Sequence, residues 1–376
     1  MIGGGRGAFI GAVHRTAAAL DGQIELVCGA FSSDPEVSKQ SGADFFLAPE
    51  RCYGTYEEMI RTEASLPENV RMDLVAIVTP NHLHFDPAMM ALDHGFHVIC
   101  DKPVCINVME AKLLQEKVKS SGLLFALTHA YTGYPMVRQA KDMIAHGELG
   151  LIRRVVVEYA QGWLSTAIEN EDQKQASWRT DPERSGAAGS MGDIGTHAQN
   201  LAEYISGLQI DSICADLHTH IPGRRLDDDG SLLLRMNNGA RGLLFASQIS
   251  AGEENNLRIS IYGEKGSLSW EQMEPNTLIA RWLDKPTQLY RTGVGTLYPQ
   301  AEVHTRIPAG HPEGYLEAFA NIYRDLAFCI QARLSNETVD PLYTDFPTID
   351  DGVRGMEFIE AVVKSGMQDE VKWVKV

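Results

Sequence analysis

Short apolar segments alternate with helical patterns through the first third of the chain, and this alternation constrains the fold more than any other feature. The apolar segments cover residues 24–30, 74–80, 97–100 and 123–129. They have the character of strands buried on both faces. Between the last two lies a periodic segment that ends on Gly122, as helices commonly do. The pattern predicts a doubly wound parallel sheet with helices on both faces, a Rossmann-type α/β domain.

The pattern changes after about residue 130. A helical segment at 134–150 and a strand-like segment at 152–163 are followed by two hairpins, which turn at Asn238-Gly239 and near Lys265-Gly266. We therefore expect a Rossmann domain over 1–128 and, over 129–376, an α+β domain with an open, mostly antiparallel sheet. The tail is helical again, and these C-terminal helices are candidates for packing back on the first domain.

The net charge, the cysteines and the lengths of the apolar runs exclude some classes of function. The chain has 376 residues and a net charge of -17, which argues against nucleic acid or an anionic membrane surface as a partner. Its six cysteines form no CxxC pair, and no signal peptide precedes them, so we expect reduced thiols and a cytoplasmic location. No apolar run approaches the ~20 residues of a membrane span.

The chain opens on a glycine-rich turn, MIGGGRGAFIG. Gly3 to Ala8 fit the pattern G-x-G-x-x-A of dinucleotide-binding turns, and a helix starting near Ala8 would point its N-terminus at a pyrophosphate. A flexible N-terminus is the alternative, but the strand at 24–30 completes a βαβ unit. Met1-Ile2 supply only the end of a first strand, so we expect further residues before them. The cofactor candidates here are Gly3, Gly5, Gly7, Ala8 and Phe9.

The end of the next predicted strand bears on the choice of cofactor. An acidic residue usually binds the adenine ribose there, but this chain places Ser32 and Ser33 at that point. A serine pair does not repel a 2′-phosphate, and Arg51 is the nearest candidate to bind one. The sequence predicts NAD or NADP and leaves the choice open.

Two further loops follow strand ends, where open α/β sheets bind ligands. The first supplies the cofactor candidates Thr79, Pro80, Asn81 and His84. The second contains Asp101-Lys102-Pro103, in which the proline restricts the loop and presents Lys102 to a substrate oxygen. Asp101 and Lys102 are also cofactor candidates. A plain surface turn is the alternative for this tripeptide taken alone.

A third group of candidates lies at 186–207. Asp193 and His197 are four residues apart and share one face of the predicted helix. A histidine beside a carboxylate is suited to general acid–base work near neutral pH. An exposed i,i+4 pair and a metal site with His82 and His84 are the alternatives. The spacing is not that of a metalloprotease or of a zinc finger, so we predict no metal.

Taken together, these motifs resemble the Gfo/Idh/MocA family (glucose–fructose oxidoreductase, inositol dehydrogenase and rhizopine catabolism) over nearly the whole chain. The resemblance includes the glycine turn, TPNHLH at 79–84, the E/D-K-P motif at Asp101 to Pro103 and the D-x-G-x-H motif from Asp193 to His197. It implies hydride transfer between nicotinamide C4 and a secondary alcohol of a sugar, cyclitol or related polyol. It also implies a homodimer or homotetramer formed through the second sheet, with Lys102, Asp193 and His197 in the active site.

Other polar and aromatic residues are placed to line a substrate site. An aromatic ring suits the C–H face of a sugar, and arginine suits hydroxyls or a carboxylate. The substrate candidates are His129, Tyr131, Tyr134, Trp178, Arg179 and His311. His197 and Lys102 both remain candidates for the proton-transfer group. Two alternative functions stay open, namely an NAD-retaining glycosidase working by oxidation and elimination, and a non-catalytic dinucleotide sensor.

Overall fold

The computed structural model describes residues 1–171, 173–366 and 372–376, and the chain divides into two compact units. The first unit contains Met1–Ala130 and Phe319–Val353. The second contains Tyr131–Ala318 and Arg354–Val376.

The first unit is built on a parallel three-stranded sheet in the order β1-β2-β3. Its strands are β1 Leu74–Ile77, β2 His97–Cys100 and β3 Phe125–Leu127, and its helices are α1 Phe9–Leu20, α2 Pro35–Asp44, α3 Tyr56–Ser65, α4 Phe85–Asp93 and α5 Val108–Ser121. The sheet is buried, since all four residues of β2 and all three of β3 lie in the interior of the unit. As predicted, α5 ends on Gly122, which adopts the left-handed conformation.

The strand predicted at 24–30 is wrong for most of its length. Only Gly29 and Ala30 form β-bridges, to Cys52 and Ile2. The physical reason lies in the neighbouring main chain. The amine of Met1 donates to the Cys28 carbonyl at 2.9 Å and the Gly3 amide to the Ala30 carbonyl at 2.9 Å, so pairing is confined to this end of the segment.

The second unit carries a nine-stranded sheet in the order β11-β10-β9-β8-β4-β7-β6-β5-β12. The strands are β4 Ile152–Ala160, β5 Ile210–His218, β6 Asp229–Met236, β7 Arg241–Ser247, β8 Asn256–Gly263, β9 Gly266–Glu271, β10 Thr277–Trp282, β11 Gln288–Arg291 and β12 Val374–Lys375. Both predicted hairpins are present, as β6–β7 and β8–β9. The sheet is antiparallel apart from the β4–β7 pair, which runs parallel.

The helices that lie wholly in this unit are α6 Pro135–Ala145, α7 Lys174–Arg179, α8 Pro182–Ser185, α9 Thr196–Ser206 and α10 Pro299–Val303. Of these, α6 and α9 pack on one face of the sheet. Helix α9 packs on β4, β7 and β8, and α6 packs on α9, β9 and β10. Strand β6 alternates strictly between buried and more exposed residues, so the opposite face of the sheet is left open.

Two long helices near the C-terminus contribute to both units. They are α11 Tyr315–Leu334 and α12 Ile349–Gly366. Single helical turns lie at Pro49–Arg51, Asn81–Leu83, Ala130–Gly133, Ile168–Asn170 and Pro341–Tyr343. Among the described residues, no helix is long and apolar enough to cross a membrane.

Candidate active site

The glycine turn has a backbone that few other residues could adopt. Gly3, Gly4 and Gly7 have φ angles of 79°, 74° and 75°. Gly11, in the first turns of α1, lies against Gly4 so closely that a Cβ added at Gly11 would come within 2.3 Å of the Gly4 Cα atom. The glycines therefore let the start of α1 approach the turn directly, which is the packing that a dinucleotide fold requires at this point.

The start of α1 fits an anionic ligand. The N-cap residue is Ala8, and no described side chain caps this end of the helix. A Cβ added at Gly7 would meet no atom within 4 Å, so the turn is open there. Phe9 is 68% exposed beside it. Main-chain N–H groups at a helix N-terminus attract phosphate, so the residues present fit the pyrophosphate of a dinucleotide.

Of the two serines predicted to lie at the adenine ribose, Ser32 and Ser33, Ser33 is exposed and Ser32 is partly exposed. The Ser32 hydroxyl accepts a hydrogen bond from the Asp34 amide at 3.2 Å, and Asp34 caps helix α2. Arg51 forms a two-pronged ion pair with the buried Glu63, with both N···O distances at 2.7 Å. Its guanidinium is therefore held inside the unit and is not available for a 2′-phosphate.

The loop after β1 is held by His84. This histidine is fully buried, with Nδ1 2.8 Å from the Pro103 carbonyl oxygen and Nε2 2.8 Å from the Thr79 carbonyl oxygen. Burial lowers its pKa, although the nearby Asp101 opposes this effect. The ring therefore joins the loop after β1 to the loop after β2. Pro80 is partly exposed beside it, whereas Asn81 is buried.

Lys102 stands on a loop that a buried carboxylate organises. Asp101 Oδ1 accepts from the Lys102 amide at 2.9 Å and from the Thr128 hydroxyl at 2.7 Å. Burial opposes ionisation of Asp101, but His14, Lys102 and Thr128 outweigh it and hold the pKa of this carboxyl below its usual range. The peptide bond between Lys102 and Pro103 is cis. The charged carboxylate thus fixes the backbone that carries the Lys102 side chain.

His129 lies at the end of the same sheet edge, after β3. It is buried, and burial together with the Lys102 charge lowers its pKa to about 3. The imidazole is therefore uncharged at neutral pH, where it can accept a hydrogen bond but does not take up a proton.

In the second unit, Asp193 and His197 stand where a π-helical turn passes into α9. The predicted helix is present, but Met191–Gly195 forms a π turn, and the α-helix itself begins at Thr196. Within the described stretch 191–200, Asp193 and His197 alone are partly exposed, and the other eight residues are buried. π turns are rare and are common at functional sites. The helix thus presents one carboxylate and one imidazole from an otherwise buried segment.

Asp193 is held by two partners from distant parts of the sequence. Its Oδ2 accepts from Gln248 Nε2 at 2.8 Å and from Arg179 Nε at 3.2 Å. The Arg179 guanidinium lies 4.2 Å from the centroid of the Trp178 ring and 5.9 Å from that of Trp163. The ion pair and the two indole rings therefore make this corner of the site both polar and aromatic.

His197 packs edge-on against Tyr131, with ring centroids 4.9 Å apart. The Tyr131 hydroxyl forms a short hydrogen bond with that of Tyr159 and accepts from Asn255 Nδ2 at 3.1 Å. Both tyrosines are buried. Tyr131 therefore acts as a wall against the imidazole, and a hydrogen-bonded network fixes it.

The remaining substrate candidates differ in their surroundings. Tyr134 is buried and packs on Trp270 at 5.3 Å between centroids, which makes it part of the core of the second unit. His311 is exposed, with Nδ1 3.1 Å from the Pro308 carbonyl oxygen. Tyr315 is partly exposed, and its ring centroid lies 6.4 Å from that of Tyr131.

Several residues of this site escaped the sequence analysis. Gln161 and Gln248 each follow directly after a strand, and Gln248 Nε2 donates to Gln161 Oε1 at 3.4 Å. A polar residue after a strand is a weak signal. It becomes informative only once β4 and β7 are known to run parallel, because their ends then meet at one edge. No sequence pattern pointed to Asn255, Tyr159 or Trp163 as residues of this site.

No metal centre is evident in the described part of the chain, where no three or more His, Cys, Asp or Glu side chains form a group that could hold an ion.

Comparison with known proteins identifies the class. Residues 1–129 match the family described as "Oxidoreductase family, NAD-binding Rossmann fold", and residues 137–269 match the "GFO/IDH/MocA C-terminal domain". The fold and the glycine turn therefore belong to an NAD-binding oxidoreductase. The chain is a member of the Gfo/Idh/MocA family, as the motifs predicted, and the predicted combination of a Rossmann domain with a mostly antiparallel sheet is confirmed.

Three similar proteins span the chain. An inositol dehydrogenase homolog from Azotobacter vinelandii, solved with NAD+ and with NADH and myo-inositol, is 34% identical, with TM-scores of 0.94 and 0.91 over 100% of this chain and 96% of that one. An oxidoreductase from Sinorhizobium meliloti is 45% identical, with a TM-score of 0.90 over 100% and 98%. The uncharacterized oxidoreductase YfiI of Bacillus subtilis (strain 168) is 33% identical over 100% of this chain and 95% of its own length.

Proposed function

We propose that this protein is an NAD(P)-dependent dehydrogenase that transfers a hydride between nicotinamide C4 and a secondary alcohol of a sugar, cyclitol or related polyol. The observation that carries the proposal is the pair Asp193 and His197, presented from an otherwise buried helix start in a chain of this oxidoreductase family. The 34% identity to a protein solved with NADH and myo-inositol supports a polyol as the substrate class. Residues 1–128 would bind the cofactor and residues 129–376 the substrate.

The chain's own residues supply binding and proton transfer. The glycine turn and the start of α1 would hold the pyrophosphate, with Ser32 and Ser33 at the adenosine ribose and Thr79, Pro80, Asn81 and Asp101 along the remaining cofactor surface. When bound, the nicotinamide accepts or gives the hydride. His197 takes the hydroxyl proton as the alcohol is oxidised, and Lys102 donates a hydrogen bond to the same oxygen. Lys102 and His197 can exchange these roles.

The environment of Asp193 favours an uncharged substrate. Arg179 is paired with Asp193, so its guanidinium is already compensated. Trp163 and Trp178 flank this pair and offer apolar faces of the kind that pack on the C–H face of a ring. Asp193 is suited to bind a second hydroxyl or to orient the imidazole. His129, Tyr131, Tyr134 and His311 complete the proposed substrate residues.

The most direct test is a panel of sugars and cyclitols, myo-inositol included, supplied with NAD or NADP. Both cofactors belong in it, because Ser32 and Ser33 carry no charge to repel a 2′-phosphate. We expect the absorbance of the reduced nicotinamide to rise with at least one polyol. Cleavage of a glycoside without net reduced cofactor would favour the NAD-retaining glycosidase. Cofactor binding without turnover on any polyol would favour the sensor.

We also propose that a second copy of the chain covers the open face of the nine-stranded sheet. Leu233 and Leu243 face each other across β6 and β7 and are 49% and 38% exposed. They border a surface cavity of about 380 Å³ together with Val156, Phe245 and Cys214. An exposed apolar patch of this kind is typical of a subunit interface, and a homodimer or homotetramer is the assembly that we expect.

A cytoplasmic location is part of the proposal. It is supported by the six cysteines, all of which are buried, unpaired thiols. Fractionation of cells that express the full-length protein tests it, with recovery in the cytoplasmic fraction as the expected result.

A further inference from the structure

We propose that Asp227 is a positioning residue for Asp193 and His197, an inference that rests on the function proposed above. Asp227 lies in the loop before β6 and does not belong to any motif of the sequence analysis. Its carboxylate receives three hydrogen bonds from the start of the site helix. Oδ1 accepts from the Gly189 amide at 2.7 Å, and Oδ2 accepts from the Met191 amide at 2.8 Å and the Ser190 hydroxyl at 2.9 Å.

The main chains of the two segments are also locked together. The Ser190 amide donates to the Asp227 carbonyl at 2.8 Å. Gly189 is so close that a Cβ added there would lie 2.1 Å from the same carbonyl oxygen. Any other residue at 189 would push the loop away from the helix. These contacts therefore fix the position of the start of the π turn relative to Asp227.

The π turn needs such support. A π turn is less stable than regular α-helix and persists where surrounding structure determines it. Met191, whose amide Asp227 binds, is the first residue of this turn, and Asp193 is the third. The Asp193 amide donates to the Gly189 carbonyl at 2.8 Å. Gly189, which Asp227 binds through its amide, therefore also fixes the backbone of Asp193.

The next residue, Asp228, extends the same clamp to the other side of Asp193. Its carbonyl accepts from the Gln248 amide at 3.0 Å, and Gln248 Nε2 donates to Asp193 Oδ2 at 2.8 Å. The Asp228 carboxylate is fixed in turn by the His220 and Ile221 amides. Asp227 thus holds the start of the helix that carries Asp193, and Asp228 holds Gln248, whose side chain binds the Asp193 carboxylate. This arrangement distinguishes a positioning role from ordinary loop packing.

The test is Asp227→Asn, which keeps the size of the side chain. In either orientation of the asparagine amide, its NH₂ group would face a backbone N–H donor, that of Gly189 or that of Met191, so two donors oppose each other and the turn relaxes. Misplacement of reacting groups by about 1 Å can cost about 100-fold in rate. We expect kcat for the polyol to fall by about that factor, with the dissociation constant for NAD(H) near the wild-type value and the thermal midpoint lowered by only about 2–4 °C. Hydrogen exchange at the Gly189 and Met191 amides should become faster.

Two further variants keep the result decisive. Ser190→Ala removes one of the three hydrogen bonds and should lower kcat several-fold, and it decides the question if Asp227→Asn does not fold. Asp284→Asn, at an exposed turn between β10 and β11, is the matched control and should change nothing. Unchanged kcat in both Asp227→Asn and Ser190→Ala would overturn the inference, as would a loss confined to KM. Failure of the wild-type protein to oxidise any polyol would overturn the proposed function instead, and amide exchange at Gly189 and Met191 would still decide whether Asp227 holds the turn.

Discussion

The loop that carries Lys102 and the helix start that carries His197 are organised in contrasting ways. The Lys102 amide donates to the carboxylate of its immediate neighbour, Asp101. The His84 ring joins Pro103, the residue after Lys102, to the loop after β1. Asp193 and His197, by contrast, depend on residues 14 to 66 positions away, namely Arg179, Gln248 and Tyr131. A local motif positions the lysine, and the assembled second unit positions the imidazole.

This contrast indicates which residues outside the sequence motifs should lower activity when they are substituted. In the first unit, the polar groups that organise the site lie at the ends of adjacent parallel strands, within or next to the motifs themselves. In the second unit they come from the residue directly after β7, from the loop before β6 and from helix α7. Substitutions outside the motifs should therefore affect substrate turnover more through the second unit than through the first.

The largest expected effect comes from removing the reacting groups themselves. His197→Ala and Lys102→Ala should each lower kcat by about 10²- to 10⁴-fold, which is the usual contribution of general acid–base catalysis. Steady-state rates with the best polyol of the panel measure this effect. Lys119→Ala, at an exposed position of α5, is the control for the loss of a lysine. Full turnover by both site variants would refute the assignment of these residues.

Removing one supporting partner in each region sharpens the comparison. Gln248→Leu leaves Asp193 with one fewer charge-assisted hydrogen bond, worth about 1.5–3 kcal/mol, so kcat/KM for the polyol should fall by about 10- to 100-fold. Thr128→Val removes the equivalent bond to Asp101 and should chiefly raise KM for the nicotinamide cofactor. Steady-state kinetics, with the polyol and the cofactor varied in turn, separate an effect on kcat/KM for the polyol from an effect on KM for the cofactor. The same pattern of losses in both variants would contradict the proposed division of roles.

Acid should destabilise the first unit through its buried histidines. Burial lowers the pKa of His14 to about 4, whereas the unfolded value is about 6.5. Between these values the unfolded chain binds the proton and the folded chain does not, so the stability present above pH 6.5 is lost as the pH falls. From pH 7 to pH 5 the loss from His14 is on the order of 2 kcal/mol.

Urea unfolding at pH 7 and pH 5 tests this expectation with His14→Gln, a side chain that does not titrate. The variant should lose less stability on acidification than the wild type does. His146→Gln, at an exposed position, should behave as the wild type. An equal pH dependence in wild type and His14→Gln would show that the His14 ring is not buried in its neutral form.

The smallest expected effect on catalysis concerns the open sheet face. Leu243→Glu places a charge opposite Leu233 and should shift the protein towards monomers in sedimentation or light scattering, with turnover changed only slightly. Leu289→Glu on β11, a strand at the sheet edge, is the control because Leu289 is 65% exposed. An unchanged assembly in Leu243→Glu would mean that this face does not bind a second copy.

The sequence was most informative where neighbours in the chain are also neighbours in space. The glycine turn, the strand at 97–100 and the helix ending on Gly122 follow from local pattern and appear as expected. The strand at 24–30 failed because pairing depends on the neighbouring main chain and not on apolar character alone. The π turn at Met191 was not predictable, because the groups that hold it, in Asp227, lie 36 residues further along the chain.

Transfer of deuterium tests the central claim most directly. A polyol that is active in the panel, deuterated at its carbinol carbons, is oxidised with unlabelled NAD or NADP, and the reduced cofactor is examined by NMR or mass spectrometry. We predict one deuterium at C4 of the nicotinamide, a slower rate than with the unlabelled polyol, and a transfer that is slowed by about 10²- to 10⁴-fold in His197→Ala and Lys102→Ala. Turnover of the polyol with no deuterium at C4 would contradict hydride transfer as the reaction of this protein.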